Sequence, residues 1–225
     1  MKKAPQLVVF DMAGTSIQEH NLVYKTILKS FLYHNISISI DKVLEIAAGK
    51  EKLTAIMDIL TFKGYELDSH LIDSIYLYFK EQLASSYKTE LIEPMHHIVE
   101  VFDYLRNLDI FIALNTGYDS ATAHQILDRI HWKQGEDYDL LITASDVQKA
   151  RPYPDMILAA MRHFKINDPS YVVKVGDSII DIEEGKNAQC GFVIGMTTGA
   201  HTYNQLLQAQ PDIILKNPID LLLHI

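Results

Sequence analysis

Four short apolar runs, Leu7–Phe10, Ile110–Leu114, Tyr171–Val175 and Phe192–Ile194, lack the polar–apolar alternation of a strand with one wet face. Runs of this kind need cover on both sides, which a parallel sheet flanked by helices provides. Leu140–Thr143 and Ile213–Leu215 are weaker runs of the same type. Between the runs lie helical patterns. Ile98, Val101, Phe102 and Leu105 repeat at i, i+3, i+4 and i+7, and Ser120–Ile130 and Pro154–Phe164 are spaced similarly. Strand alternating with helix predicts an α/β fold, a Rossmann-like, doubly wound parallel sheet.

The interval from about residue 17 to residue 90 breaks that rhythm. It holds no convincing strand but at least three amphipathic helical patterns, roughly 20–34, 41–62 and 68–87. Asp41 is the expected N-cap of the second, Gly64 follows its end, and Pro94 marks the return of the α/β pattern. We therefore expect a core of residues 1–16 and 91–225, with an α-helical cap domain, residues 17–90, inserted after the first strand.

Composition narrows the partners. With 48% apolar residues, the 225-residue chain has enough material for a sizeable core. Its net charge of −9, spread along the chain, argues against a nucleic-acid partner, which clustered lysines and arginines would serve. A small anionic substrate remains open, because a metal ion and a few local lysines reverse the sign inside a site. Cys190 is the single cysteine, so no intrachain disulfide forms. No apolar segment has signal-peptide or membrane-spanning length, and a cytoplasmic protein with no membrane partner is expected.

In open α/β sheets ligands bind at the carboxyl ends of the strands. The first strand delivers Asp11-Met12-Ala13-Gly14-Thr15, and the second Asn115-Thr116-Gly117-Tyr118. A later strand delivers Gly176-Asp177-Ser178, with Asp181 one helical turn on, and Arg151-Pro152-Tyr153-Pro154 precedes it. Each has an ordinary explanation: Asp11 or Asp177 as a helix N-cap, Thr116 as a turn residue, Arg151 as a surface charge. Together they fit phosphoryl transfer. Carboxylates from separate strands hold a hard Mg²⁺, a carboxylate attacks phosphorus, and hydroxyl and cationic groups neutralise the equatorial oxygens.

This ensemble resembles the four motifs of the haloacid dehalogenase-like hydrolase superfamily, in the expected order over nearly the whole chain. Motif one is Asp11–Thr15, motif two Thr116, motif three Arg151, and motif four Gly176-Asp177 with Asp181. The resemblance implies Asp11 as nucleophile and Thr116 and Arg151 as stabilisers of the phosphoryl oxygens. It further implies Mg²⁺ bound by Asp11, the Ala13 carbonyl and Asp177, with Asp181 orienting metal-bound water.

One position departs from the usual phosphatase pattern. A second aspartate normally follows the nucleophile by two residues and protonates the leaving oxygen; here that position is Ala13. Its loss removes a contribution of roughly 10²–10⁴ in rate from ester hydrolysis. The phosphonatase-like branch, phosphonoacetaldehyde hydrolase and its relatives, is similar at that position, with Asp-x-Ala-Gly-Thr. The likeness extends to Thr116-Gly117-Tyr118, to Arg151-Pro152-Tyr153-Pro154, and to Lys174–Asp177 with Glu184-Gly185 and Asn187-Ala188.

In that branch a cap lysine three residues after a glycine forms a Schiff base with the substrate aldehyde; here Gly49-Lys50-Glu51-Lys52 puts Lys52 at that position. Lys50, close by, would lower the pKa of Lys52 if the two converge. Lys50 and Gly117 are candidate substrate-binding residues. A solvated helix face is the plain alternative for both lysines, and related cap domains also use a basic residue at the Lys52 position merely to grip substrate. The chain departs from the branch at Ala55, where the family has histidine, and at Gln18-Glu19-His20-Asn21, where it has a cysteine.

Three readings stand at this point. The first is cleavage of the C–P bond of a small phosphonate, for which Lys52→Ala should abolish turnover. The second is hydrolysis of a small phosphate ester, in which Ala13→Asp should raise activity. The third is a non-catalytic binding protein. The resemblance also implies a homodimer, with the apolar, Tyr-rich cap as one contact surface. His96-His97 and the Tyr76–Phe79 cluster receive no chemical role, and Thr197-Thr198-Gly199 is either a phosphate contact or a plain loop.

Overall fold

Strand β1, Leu7–Asp11, shows why the sequence lacks alternation: every residue is buried. Val8 and Phe10 face a cluster containing Val101, Phe102 and Leu105, while Leu7 and Val9 face Met156, Ile157 and Ala160. Burying each of these large side chains contributes roughly 1.5–3 kcal/mol. The structure, a computed structural model, describes residues 4–225.

A two-residue strand β2 (Ile17–Gln18) leads into four helices, α1 (Leu22–Tyr33), α2 (Ile40–Ala47), α3 (Lys52–Phe62) and α4 (Ser69–Thr89). Strand β3 (Glu93–Pro94) returns antiparallel to β2. The chain continues through α5 (Ile98–Asn107), β4 (Phe111–Thr116), α6 (Ser120–Arg129), β5 (Leu140–Thr143) and α7 (Asp155–His163). It ends with β6 (Val172–Gly176), α8 (Ile179–Asn187), β7 (Phe192–Met196), α9 (Tyr203–Gln208) and β8 (Ile213–Leu215).

Six strands form one parallel sheet in the order β5-β4-β1-β6-β7-β8. The chain fills one side of β1, then crosses to fill the other, so the switch point lies where β4 and β6 flank β1. Asp11 pairs with Asn115, and Phe10 with Val175, so the polar carboxyl ends of three strands sit side by side there. The expected doubly wound α/β core is present, with the helical insertion after its first strand. The β2–β3 pair ties the two ends of that insertion together, with Ile17 opposite Pro94 and Gln18 opposite Glu93.

Two details of the insertion correct the sequence expectation. The single pattern over 41–62 is two helices, α2 and α3, broken at Ala48–Glu51. Gly49 takes a left-handed φ of +70° there, and a Cβ would stand 2.3 Å from Ser178 Oγ. Glu51 then caps α3, accepting from the N–H groups of Leu53 and Thr54. The periodicity ran through because Val43 and Ala47 of α2 and Ile56, Ile59 and Leu60 of α3 share one core. The N-cap of α2 is Ser39, whose side chain accepts from Lys42 N–H; Asp41 lies in the first turn, beside the helix dipole. Gly64 follows the end of α3 as expected, with φ +76°.

Candidate active site

At the switch point the strand ends assemble a buried cluster of charges. Asp11 closes β1, and Arg151 approaches from the loop before α7. Its Nη1 lies 2.6 Å from Asp11 Oδ1 and 2.8 Å from Asp181 Oδ1, and its Nε lies 3.0 Å from Glu184 Oε2. Its Nη2 donates to the backbone and side-chain oxygens of Asn115. Lys174, fully buried on β6, lies 2.9 Å from Asp181 Oδ1 and 3.3 Å from Glu184 Oε2, and donates to Asn115 Oδ1. Arg151 is thus buried rather than a surface charge.

The ordinary explanations for the aspartates fail as well. No helix begins at Asp11, and α8 is capped by Ser178 in a reciprocal box with Asp181. Asp177 faces inward, accepting from Ala200 N–H and, at 3.5 Å, from Thr15 Oγ1. Thr116 keeps its turn role, accepting from Tyr118 N–H at 3.2 Å, on the residue next to Asn115, which pairs with Asp11. The loop after β7 is more than a connection. Thr198 donates to the Gly14 carbonyl, and a Cβ on Gly199 or Gly14 would collide with Asp177 Oδ2.

Electrostatics separates the three aspartates. Burial raises Asp177 well above the usual carboxylate range, and the charges of Asp11 and Asp181 add to the effect. Burial also raises Asp11, against the pull of Arg151. For Asp181 burial is outweighed by Arg151 and Lys174, and its pKa is lowered. One ligand oxygen from each of Asp11, Asp177 and Asp181 falls within 4.8 Å of the others. Across the cluster four buried carboxylates (Asp11, Asp177, Asp181 and Glu184) face two buried cations, Arg151 and Lys174. With all four ionised the site carries an excess of two negative charges, which fits a hard divalent cation such as Mg²⁺ that would favour the charged form of Asp177. Ala13 lies on the turn directly after Asp11, bridged to Ile17.

The helical insertion contributes as well. Lys52, first residue of α3, is 7% exposed, and its Nζ donates to the Lys50 carbonyl. The Nζ stands 5.0 Å from the Tyr118 ring and 5.9 Å from that of Tyr24. Burial lowers its pKa to about 8; Asp11 opposes the shift and Arg151 reinforces it. Lys50 is not the cation responsible. Its ammonium is held by Asp58 at 2.5 Å, where a flexible side chain finds a carboxylate it can reach in partial solvent. Lys50 instead lines an open cleft of about 650 Å³ with Asp58, Lys149, Arg151, Tyr153 and His201. Gly117 meets the cap itself: a Cβ there would lie 2.7 Å from the Lys50 carbonyl and 2.8 Å from that of Gly49.

The sequence points to Asp11, Ala13, Thr116, Arg151, Asp177, Asp181 and Lys52, and the fold brings them around one region. The sequence alone assigns no role to Lys174, Asn115 and Glu184, which hold the carboxylates and Arg151 in place. A lysine inside a fully covered strand was the available signal, since burial requires it to be paired. Glu19, Tyr24 and Tyr87 carried no such signal.

A parallel sheet with a buried aspartate cluster at its switch point, under a helical insertion, defines a class of hydrolase. The chain belongs to the haloacid dehalogenase-like hydrolases, whose family pattern matches residues 5–189. It is 34% identical over 195 residues to a phosphonoacetaldehyde hydrolase from Latilactobacillus sakei, covering 81% of this chain and 72% of that protein. Its fold is similar to a hydrolase from Pseudomonas syringae, with a TM-score of 0.85, 17% identity and 97% of each chain covered. A phosphonoacetaldehyde hydrolase-like protein from Oleispira antarctica superposes with a TM-score of 0.80 at 21% identity, over 97% of this chain and 90% of that one. No helix among the described residues is long and apolar enough to cross a membrane.

Proposed function

We propose that the protein cleaves the carbon–phosphorus bond of a small phosphonate bearing an adjacent carbonyl, of which phosphonoacetaldehyde is the simplest. The observation that carries this reading is Lys52. Its buried amine has no carboxylate within ion-pair distance among the described residues, and it lies in the field of Asp11. A substrate-gripping lysine needs only its charge. An amine brought down to about 8 has a sizeable neutral fraction near neutral pH, as attack on a carbonyl requires. Ala13 supports the same choice, because a leaving carbon whose electrons enter an iminium needs no proton from that position.

The Lys52 amine would add to the carbonyl and expel water, leaving an iminium. Asp11 would attack phosphorus as the C–P electrons pass into the iminium, giving an enamine on Lys52 and a phosphorylated Asp11. Protonation of the enamine carbon and addition of water would release the aldehyde and restore Lys52. A second water would release phosphate from Asp11. Arg151 and Thr116 would meet the phosphoryl oxygens, and Gly117 would let the cap backbone close against the core. Asp11, Asp177, Asp181 and the Ala13 carbonyl would hold Mg²⁺. When bound, the ion would supply neutralisation of the charge between carboxylate and phosphoryl group.

Phosphate and acetaldehyde released from phosphonoacetaldehyde with Mg²⁺ test the reading, with wild type and Lys52→Ala in parallel. Equimolar products that vanish in the variant support it, as does borohydride trapping of a substrate adduct on Lys52. No turnover by folded, Mg²⁺-loaded wild type sinks the substrate, and hydrolysis of alkyl phosphates that survives Lys52→Ala replaces it with ester chemistry.

A further inference from the structure

Beside Lys52 lies a second buried ionisable group that the proposed chemistry does not use. Glu19 follows β2 at the seam between core and cap and is 3% exposed. Its Oε2 accepts from the hydroxyl of Tyr87, on α4, at 2.6 Å and from that of Tyr118, past the end of β4, at 3.2 Å. Tyr87 OH also contacts Tyr118 OH at 2.8 Å, and Val23 N–H, on α1, approaches Oε1 at 3.5 Å. Each of these partners is a neutral donor. Among the described residues no Lys, Arg or His lies within ion-pair distance of this carboxylate. The nearby cation is Lys52, seated over the ring of Tyr118, whose hydroxyl Glu19 holds.

A buried carboxylate and a buried amine, each without an ion-pair partner, are expensive to charge singly and cheaper to charge together. We propose that Glu19 and Lys52 act as one electrostatic unit, in which the ionised carboxylate keeps the proton on the amine and the neutral carboxyl leaves the amine free to attack. This rests on the reading of Lys52 as an amine nucleophile. Glu19 acts through Lys52 and is a positioning residue.

The other charges are accounted for. Lys52 is faced by Asp11 from β1, Arg151 from the loop before α7 and Glu51 at its own helix start, each acting on it more strongly than Glu19 does. Glu19 is faced by the phenols of Tyr87, Tyr118 and Tyr24, all held protonated well above the usual range, chiefly by burial. Burial raises Glu19 to about 7 and lowers Lys52 to about 8, so the two groups exchange protons over the same narrow interval.

The test is the titration midpoint of Lys52 in the full-length protein carrying ¹³C,¹⁵N-lysine. Its Cε resonance would be followed against pH and assigned by its loss in Lys52→Arg. Glu19→Gln removes the negative charge and should lower the midpoint by about one unit, a tenfold shift towards the free amine. Glu19→Asp should hold it near the wild-type value. If Glu19→Gln fails to fold, Tyr87→Phe serves: it withdraws a hydrogen bond from the carboxylate, favours its neutral form and should move the midpoint the same way. An unchanged Lys52 midpoint in folded Glu19→Gln or Tyr87→Phe overturns the proposal. This titration needs no substrate, so its outcome is separable from failure of the phosphonate assay.

Discussion

Arg151 Nη1 lies 2.6 Å from Asp11 Oδ1, and the same nitrogen also reaches Asp181. The proposed nucleophile is therefore aimed by a cation whose Nε and Nη2 are committed to Glu184 and Asn115. Asp11→Asn should reduce turnover by roughly 10³-fold or more while circular dichroism remains native. Arg151→Lys is not conservative here, because one ammonium cannot replace this fork. It leaves buried carboxylates short of partners and should cost about 3–5 kcal/mol in urea denaturation.

Asp177 makes the opposite prediction. Among the described residues no cation lies within ion-pair distance of it, and two like charges crowd it. Asp177→Asn should raise the melting temperature of the metal-free protein. It should also erase the Mg²⁺-induced rise, which for wild type at a hundredfold excess over Kd is about 2.7 kcal/mol, or roughly 5–10 °C. Thermal scans with and without Mg²⁺ decide it; a wild-type-sized Mg²⁺ shift in the variant would remove Asp177 from the ligand set.

Glu19 should write itself into the pH dependence of stability. Its pKa rises from 4.5 to about 7 on folding, so the native state binds more protons than the unfolded chain between those values. Its stabilising contribution is complete below 4.5 and lost as pH climbs through 7, a change on the order of 3 kcal/mol. Glu19→Gln should flatten the fall in stability between pH 5 and 7. Parallel slopes in wild type and variant would contradict it.

Gly49→Ala tests the cap turn. The residue sits at φ +70° with Ser178 Oγ where a Cβ would go, so alanine strains the backbone and pushes cap from core. We expect a loss of more than 1 kcal/mol in denaturant melts. Turnover should fall further than stability does, because Lys52 hangs from the segment that moves.

Some of this site was visible in the chain before any folding. Asp11, Asp177 and Thr116 end apolar runs that must be central strands, and strand ends at a switch point are where ligands bind. Ala13 was equally plain, because its meaning is local: an alanine holds no proton to give. The broken helix at Ala48–Glu51 was hidden, since α2 and α3 bury apolar residues in one core and their periods run together. Lys50 and Lys52 stand two residues apart, yet one finds Asp58 and the other a buried seat over Tyr118.

The amino-acid sequence by itself determined the sheet, the insertion and the carboxylates at the strand ends, because periodicity and residue chemistry act over a few positions. Tertiary structure alone decided what those groups are worth. It set two cations against four buried carboxylates and brought Glu19, Tyr87 and Tyr118 together from far apart in the chain. Charge states in a dry interior depend on every neighbour within several ångströms, and those neighbours are chosen by packing.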